Sequence, residues 1–144
     1  MKITTRTRYA LRALIQLAQH NENGMNLKAI AAYQKIRPKY LEQILLRLRR
    51  AGIVGTKKGP GGGYYLIRPP HEICLSDIMA AVGESTAPVR CVSGRADKYC
   101  AGMQTCTMKP VWIQLKHVID EFLENHTLQE LVEDEKKKCV NEIF

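Results

Sequence analysis

The sequence predicts a mainly α chain carrying one small β-hairpin. Three observations point there. Apolar residues recur at i, i+3 and i+4 in five separate stretches, the period shifts to that of strands between residues 53 and 67, and a glycine-rich tip sits inside that stretch.

Thr7 to Ala18 opens the pattern, with Ala10, Leu11, Leu14, Leu17 and Ala18 on one face of a helix. The polar run from His20 to Gly24 ends it. Asn26 then caps a short helix reaching about Gln34, with Leu27, Ile30 and Ala31 inward. Pro38 follows a brief connection, Lys35 to Arg37, and suits the first helical position, where its missing N–H is not needed. Leu41, Ile44, Leu45 and Leu48 mark the buried stripe of this helix, and Gly52 closes it.

Ile53 to Lys58 and Tyr64 to Ile67 read as two short strands joined by Gly59-Pro60-Gly61-Gly62-Gly63, and Pro69-Pro70 ends the second. Cys74 to Val82 makes another helix, with Leu75, Ile78, Met79 and Val82 on one side. Residues 83–110 lose all periodicity. Helical order returns with Val111, Trp112, Leu115, Val118, Ile119, Phe122 and Leu123, and Thr127-Leu128-Gln129-Glu130 fits a capping box opening a last helix. The expected division is 1–82, 83–110 and 111–144.

A short helix, a turn, a second helix at Pro38 and then a hairpin is the order of a winged helix-turn-helix. Charge agrees with that order. Residues 1–70 hold 14 Lys and Arg against two acids, Glu22 and Glu42, whereas residues 71–144 hold 8 against 12. One half is built to meet a polyanion, unless the basic surface is simply solvated. In such motifs the second helix enters the major groove by its N-terminal residues. Here these are Arg37, Lys39, Tyr40, Glu42 and Gln43, and Lys57, Lys58, Pro60, Gly61 and Gly62 form the wing. Double-stranded DNA is the expected partner. Glu42 is informative because a carboxylate facing phosphates is repelled unless it accepts a hydrogen bond from cytosine N4. Its alternative is an ordinary helix partner of Arg47 or another neighbouring base.

Other chemistries find less support. The glycine tip lacks the Lys-Ser/Thr of a phosphate-binding loop and does not satisfy G-x-G-x-x-G. His20, His71, His117 and His126 are scattered, and no nucleophile–base pair is apparent, so an enzyme is not expected. No apolar run reaches the roughly 18 residues of a spanning helix, and Arg12 interrupts the N-terminal apolar stretch. A cytoplasmic protein without membrane contact is therefore expected. The five cysteines (Cys74, Cys91, Cys100, Cys106 and Cys139) are an odd count and suggest metal or redox chemistry rather than a disulfide framework. Cys91-x8-Cys100-x5-Cys106 matches neither structural zinc nor ferredoxin spacing, so free, partly exposed thiols are the alternative to a metal site.

Thr7-Arg8-Tyr9-Ala10-Leu11-Arg12-Ala13-Leu14, Tyr40-Leu41-Glu42-Gln43-Ile44-Leu45 and Gly59-Pro60-Gly61-Gly62-Gly63-Tyr64-Tyr65-Leu66 resemble the BadM/IscR-type bacterial transcription regulators. The resemblance extends to the Trp112 helix and covers nearly the whole chain. It implies a homodimeric winged-helix repressor or activator on a near-palindromic promoter site. Trp112, Leu115, Ile119 and Phe122 either pack within one chain or pair with their counterparts across a two-fold axis, and the second reading is favoured because such a site needs a symmetric dimer. The resemblance also implies an iron–sulfur cluster, expected as [2Fe–2S], on Cys91, Cys100 and Cys106. Lys109 and Arg8 stand where relatives carry a histidine or an acidic fourth ligand, leaving Cys74, Cys139, His117, His126 and Asp97 as candidates beside an exchangeable ligand, an external thiol or water. Cluster-assembly, iron or sulfur genes are the implied targets. The alternative function is a cluster-free thiol-redox or cysteine-metabolism repressor of the same fold.

Overall fold

The computed structural model describes all residues except 21–23, 95–99, 101, 103 and 142–144. Helix α1 (Thr5–Gln19) begins two residues earlier than the periodicity indicates because Thr4 caps it. Its buried side carries Ala10, Ala13, Leu14 and Leu17, together with two polar residues, Thr7 and Gln16. Helix α2 (Leu27–Gln34) starts where expected, with the Asn26 side chain accepting the Ala29 N–H at 2.8 Å. The turn after it is made by Lys35 in a left-handed conformation (φ 54°) and by the buried Ile36. Helix α3 (Pro38–Arg50) then buries Leu41, Ile44, Leu45 and Leu48. Arg47, Arg49 and Arg50 fill its last turn, where cations offset the negative end of the helix dipole.

Strands β1 (Val54–Lys57) and β2 (Gly63–Leu66) pair antiparallel, Val54 opposite Leu66 and Lys57 opposite Gly63. A third segment joins the hairpin. Met25 donates its N–H to the Tyr64 carbonyl at 2.9 Å, and Tyr64 returns its own N–H to the Met25 carbonyl at 2.7 Å. The wing is thereby fixed to the connection that leads into α2. Gly63 permits this approach: its φ is +147°, and a Cβ there would collide with the Met25 carbonyl.

Helix α4 (Leu75–Ala81) follows a 3-10 turn at Pro70–Glu72. A second such turn, Arg90–Val92, interrupts the irregular stretch before the long helix α5 (Lys109–Glu124). Helix α6 (Leu128–Asn141) folds back, because Leu128 donates to the Ile73 carbonyl at 2.8 Å and Leu75 to the His126 carbonyl at 2.9 Å. Leu128 and Val132 therefore join the core built by α1, α3 and α4, although the sequence groups them with α5. No helix among the described residues is long and apolar enough to cross a membrane.

Candidate nucleic-acid interface and cysteine segment

The buried stripe of α3 leaves Arg37, Lys39, Glu42 and Gln43 on its exposed side. Lys57, Lys58, Pro60 and Gly61 are likewise exposed, and Gly62 is half-buried. Lys57 is held by an aromatic neighbour, its Nζ lying 5.5 Å from the centre of the Tyr65 ring. Tyr65 is a supporting residue that sequence reasoning missed, because only the strand register places it beside the tip. Tyr40 is half-buried, with its ring edge-on to Tyr9 at 6.0 Å, so much of this side chain serves packing between α1 and α3.

Glu42 forms no hydrogen bond or ion pair among the described residues. Arg47, its expected local partner, instead extends towards Gly83, where its guanidinium lies 3.6 Å from the position a Cβ would take. The carboxylate makes itself felt on the wing. Burial, then the nearby Glu42 charge, push the Tyr64 phenol above its usual range, against an opposing effect of Arg49. Helix α3 and the hairpin thus influence each other around Tyr64, and Glu42 is exposed, with no hydrogen-bond or ion-pair partner among the described residues.

The cysteine segment is built differently. Cys91 is half-buried in the turn Arg90–Val92, and Cys100 and Cys106 are exposed. Cys106 lies just ahead of α5, where the Lys109 N–H reaches its carbonyl at 3.3 Å. A hollow of about 520 Å³ is lined there by Gln104, Cys106, Lys109, Pro110, Ile113 and Gln114. Three thiols are soft donors of the class that iron–sulfur clusters take, so the chemistry of the donor set fits such a group. The described residues do not gather three metal-ligating side chains at one point. Among the candidates for a fourth ligand, His126 has Nδ1 2.7 Å from the Phe122 carbonyl and its ring stacked on Phe122, while Cys74 is half-buried beside α4. Cys139 and His117 are exposed, and Asp97 lies outside the described residues.

The start of this segment is fastened on two sides, which sequence reasoning also missed. Glu84 Oε2 accepts from the Thr4 N–H (2.9 Å), the Thr4 hydroxyl (2.6 Å) and the Thr7 hydroxyl (2.5 Å). Thr86 donates to Asp120 of α5 at 2.5 Å, and Lys116 binds the other oxygen of that carboxylate. Between these anchors lies a cleft of about 930 Å³, with Lys2, Arg90 and Lys116 among its walls.

Helix α5 covers little of its own apolar surface. Trp112 and Ile119 are half-buried, whereas Leu115 and Phe122 are exposed at 40% and 57%. Val111 and Val118 continue the same exposed side at helical spacing, Val118 being 60% exposed. Of the four residues expected in a dimer interface, Leu115 and Phe122 thus lie on this exposed side, and Trp112 and Ile119 are half-buried.

Comparison with known proteins agrees with this architecture. Residues 3–134 match the family model Rrf2, described as an iron-dependent transcriptional regulator. The chain is 40% identical over 135 residues to the transcriptional regulator IscR of Vibrio campbellii, covering 93% of this chain and 79% of that protein. It is 39% identical over 137 residues to IscR of Pectobacterium carotovorum, covering 94% and 82%. Among solved structures, IscR of T. potens superposes with a TM-score of 0.75 at 32% identity, covering 96% of this chain and 90% of that one. CymR, the global cysteine regulator of B. subtilis, superposes with a TM-score of 0.74 at 30% identity, covering 92% and 97%. The winged-helix architecture is common to these proteins and to this chain.

Proposed function

This chain belongs to the Rrf2 family of transcriptional regulators, and from that premise we propose that it is a homodimeric, cytoplasmic regulator that reads a near-palindromic promoter and senses iron–sulfur cluster status through Cys91, Cys100 and Cys106. The observation that carries the DNA reading is the exposed polar row of Arg37, Lys39, Glu42 and Gln43 on α3, together with the exposed Lys57 and Lys58 of the hairpin. Helix α3 enters the major groove with that row. Arg37 and Lys39 bind phosphate or guanine, Glu42 accepts from cytosine N4, and the wing lysines, with Pro60, Gly61 and Gly62 at the tip, follow the backbone. A symmetric operator requires a symmetric protein, and the exposed side of α5 supplies a self-complementary surface for it.

Cys91, Cys100 and Cys106 are the residues that would hold a cluster, of which [2Fe–2S] is the expected form. When bound, such a group supplies one-electron chemistry at a potential set by its ligands and surroundings. The names of the IscR relatives support this role, and the genes controlled would serve cluster assembly or iron and sulfur balance. Similarity to CymR favours the second reading, a cluster-free regulator of cysteine metabolism acting through its thiols.

Anaerobic purification separates the two. A coloured protein with stoichiometric iron and sulfide, bleached by Cys91→Ala, Cys100→Ala or Cys106→Ala, is the expected result. Colourless protein after anaerobic reconstitution overturns the cluster and leaves the second reading.

A further inference from the structure

Helix α1 has no acidic residue in its first turn, although its N-terminus carries the positive end of the helix dipole and unpaired N–H groups. Glu84 supplies the missing charge from 80 positions away. A single oxygen takes three donors there, and Thr7, one of them, is only 1% exposed. The backbone at Glu84 is tied as well, its N–H reaching the Met79 carbonyl at 2.9 Å just after α4, and Arg6 closes the same corner on the Val82 carbonyl at 2.9 Å. Two residues further on, Thr86 holds α5 through Asp120. Cys91 follows on this same stretch of chain.

These attachments differ in kind from the rest of the α1 packing. Apolar contacts tolerate small sliding, whereas a carboxylate with three directed donors is either seated or released. Helix α1 in turn packs Ala10, Ala13, Leu14 and Leu17 into the core that carries Leu41, Leu45 and Leu48 of α3. A change around Cys91 that unseats Glu84 therefore reaches the helix supporting the recognition helix.

We propose that Glu84 is the positioning residue that couples the cysteine segment to the DNA-reading domain, binding at the reading head and chemistry at Cys91 being linked through its hold on Thr4 and Thr7. The inference rests on the DNA-binding reading above, and it holds with or without a cluster. Linkage is reciprocal for equilibrium populations, so duplex binding must shift the population in which Cys91 is accessible by the factor that fixing this population would shift duplex affinity, and the alkylation rate reads that population.

The test uses reduced, cluster-free full-length protein and a duplex selected by the protein from a random pool. The rate of Cys91 alkylation is followed by peptide mass spectrometry with and without duplex. In the wild type the duplex is expected to change that rate roughly fivefold or more. Glu84→Gln, and independently the nearly isosteric Thr7→Val, are expected to bring the ratio towards one while helix content stays at wild type and duplex affinity changes by no more than the wild-type coupling factor. A loss of fold would move helix content and affinity together, and a merely structural role would leave the ratio unchanged. An undiminished ratio in both variants, or a wild-type rate indifferent to duplex, overturns the proposal. Protein that binds no duplex in fluorescence anisotropy fails the earlier reading directly and takes this proposal with it.

Discussion

Arg12 binds Gln34 at two points, Nε donating to the side-chain oxygen at 2.8 Å and a terminal guanidinium nitrogen donating to the backbone carbonyl at 3.1 Å. Gln34 ends α2, so that carbonyl is one of those the helix leaves without an internal partner. Its side-chain Nε2 donates inward to the Gln16 side-chain oxygen Oε1 at 2.9 Å, within the core. The charge that breaks the apolar N-terminal run in the sequence is thus the outer member of a polar chain joining α1 to α2.

Cutting this chain costs more than the bonds lost, because buried polar groups are left unsatisfied. Gln34→Ala is expected to destabilise by about 1–3 kcal/mol and Arg12→Ala by about 1 kcal/mol. The check is urea denaturation, with the midpoint lowered and the slope retained. A neutral Gln34→Ala would remove the network from the account of how α2 is held.

The contact between Gly63 and Met25 makes a sharper demand. Gly63→Ala must adopt φ near +147° and displace the Met25 carbonyl. Gly61 has φ +75° but open space around the position of a Cβ. Gly61→Ala is expected to cost about 1–2 kcal/mol at most, as a left-handed residue, and Gly63→Ala more than that. Thermal unfolding ranks the two, and duplex affinity should fall further for Gly63→Ala, whose whole wing is displaced, than for Gly61→Ala, which alters only the tip.

Lys57 or Lys58 and Glu42 should fail in different ways. Either lysine changed to alanine is expected to weaken binding to all duplexes and reduce the salt slope by about one, because a phosphate contact and its released counterion are lost. Glu42→Ala is expected to relax base preference, with affinity for random duplex steady or raised. Anisotropy titrations over a salt series on two sequences separate them. Uniform weakening by Glu42→Ala would return this residue to an ordinary surface role.

Legibility in the sequence followed the range of each interaction. Asn26, Pro38 and Gly52 act within a turn of their own position, and the structure finds them at the helix ends they indicate. The order of helices and the hairpin came from periodicity, which depends on near neighbours too. Glu84, Asp120 and Met25 act on partners far along the chain, and no spacing reveals a partner that only the fold brings near. The ends of β1 and β2 moved inward at Ile53, Lys58 and Ile67 because pairing, rather than strand propensity, sets them. For Glu42 the sequence offers Arg47 as a partner, and only the fold shows Arg47 directed towards Gly83, with no ion pair to Glu42 among the described residues.

Acid should loosen the bolt between the cysteine segment and α5. Burial raises the Asp120 carboxyl, but hydrogen bonds from Lys116 and Thr86 and the charges of Lys116 and His117 outweigh it and hold the group below its ordinary value of 3.8. A carboxylate lowered on folding contributes stability that is present above its unfolded value and is lost as pH falls through the folded one. Unfolding followed from neutral pH down through 3.8 should therefore show a shallower acid limb in Asp120→Asn than in wild type. Equal limbs would mean that the carboxylate does not hold Thr86.

The outward side of α5 gives the last prediction. Val111, Leu115, Val118 and Phe122 recur at helical spacing and remain exposed, so one chain alone leaves an apolar strip in water. Two copies related by a two-fold axis would cover the strip with its own counterpart, which brings each residue close to its equivalent near the axis. Val118→Glu would then bury two like charges, whereas in a single chain the same glutamate stands in solvent. Ile113 is 51% exposed but lies about 140° round the helix from Val118, so Ile113→Glu is the matched control. Sedimentation equilibrium is expected to give twice 16.3 kDa for the wild type and Ile113→Glu, and the single-chain mass for Val118→Glu. Binding to a duplex with two half-sites should fall with the dimer while binding to one half-site persists. A Val118→Glu protein that remains dimeric would place the interface on another surface and withdraw α5 from the symmetric reading of the promoter.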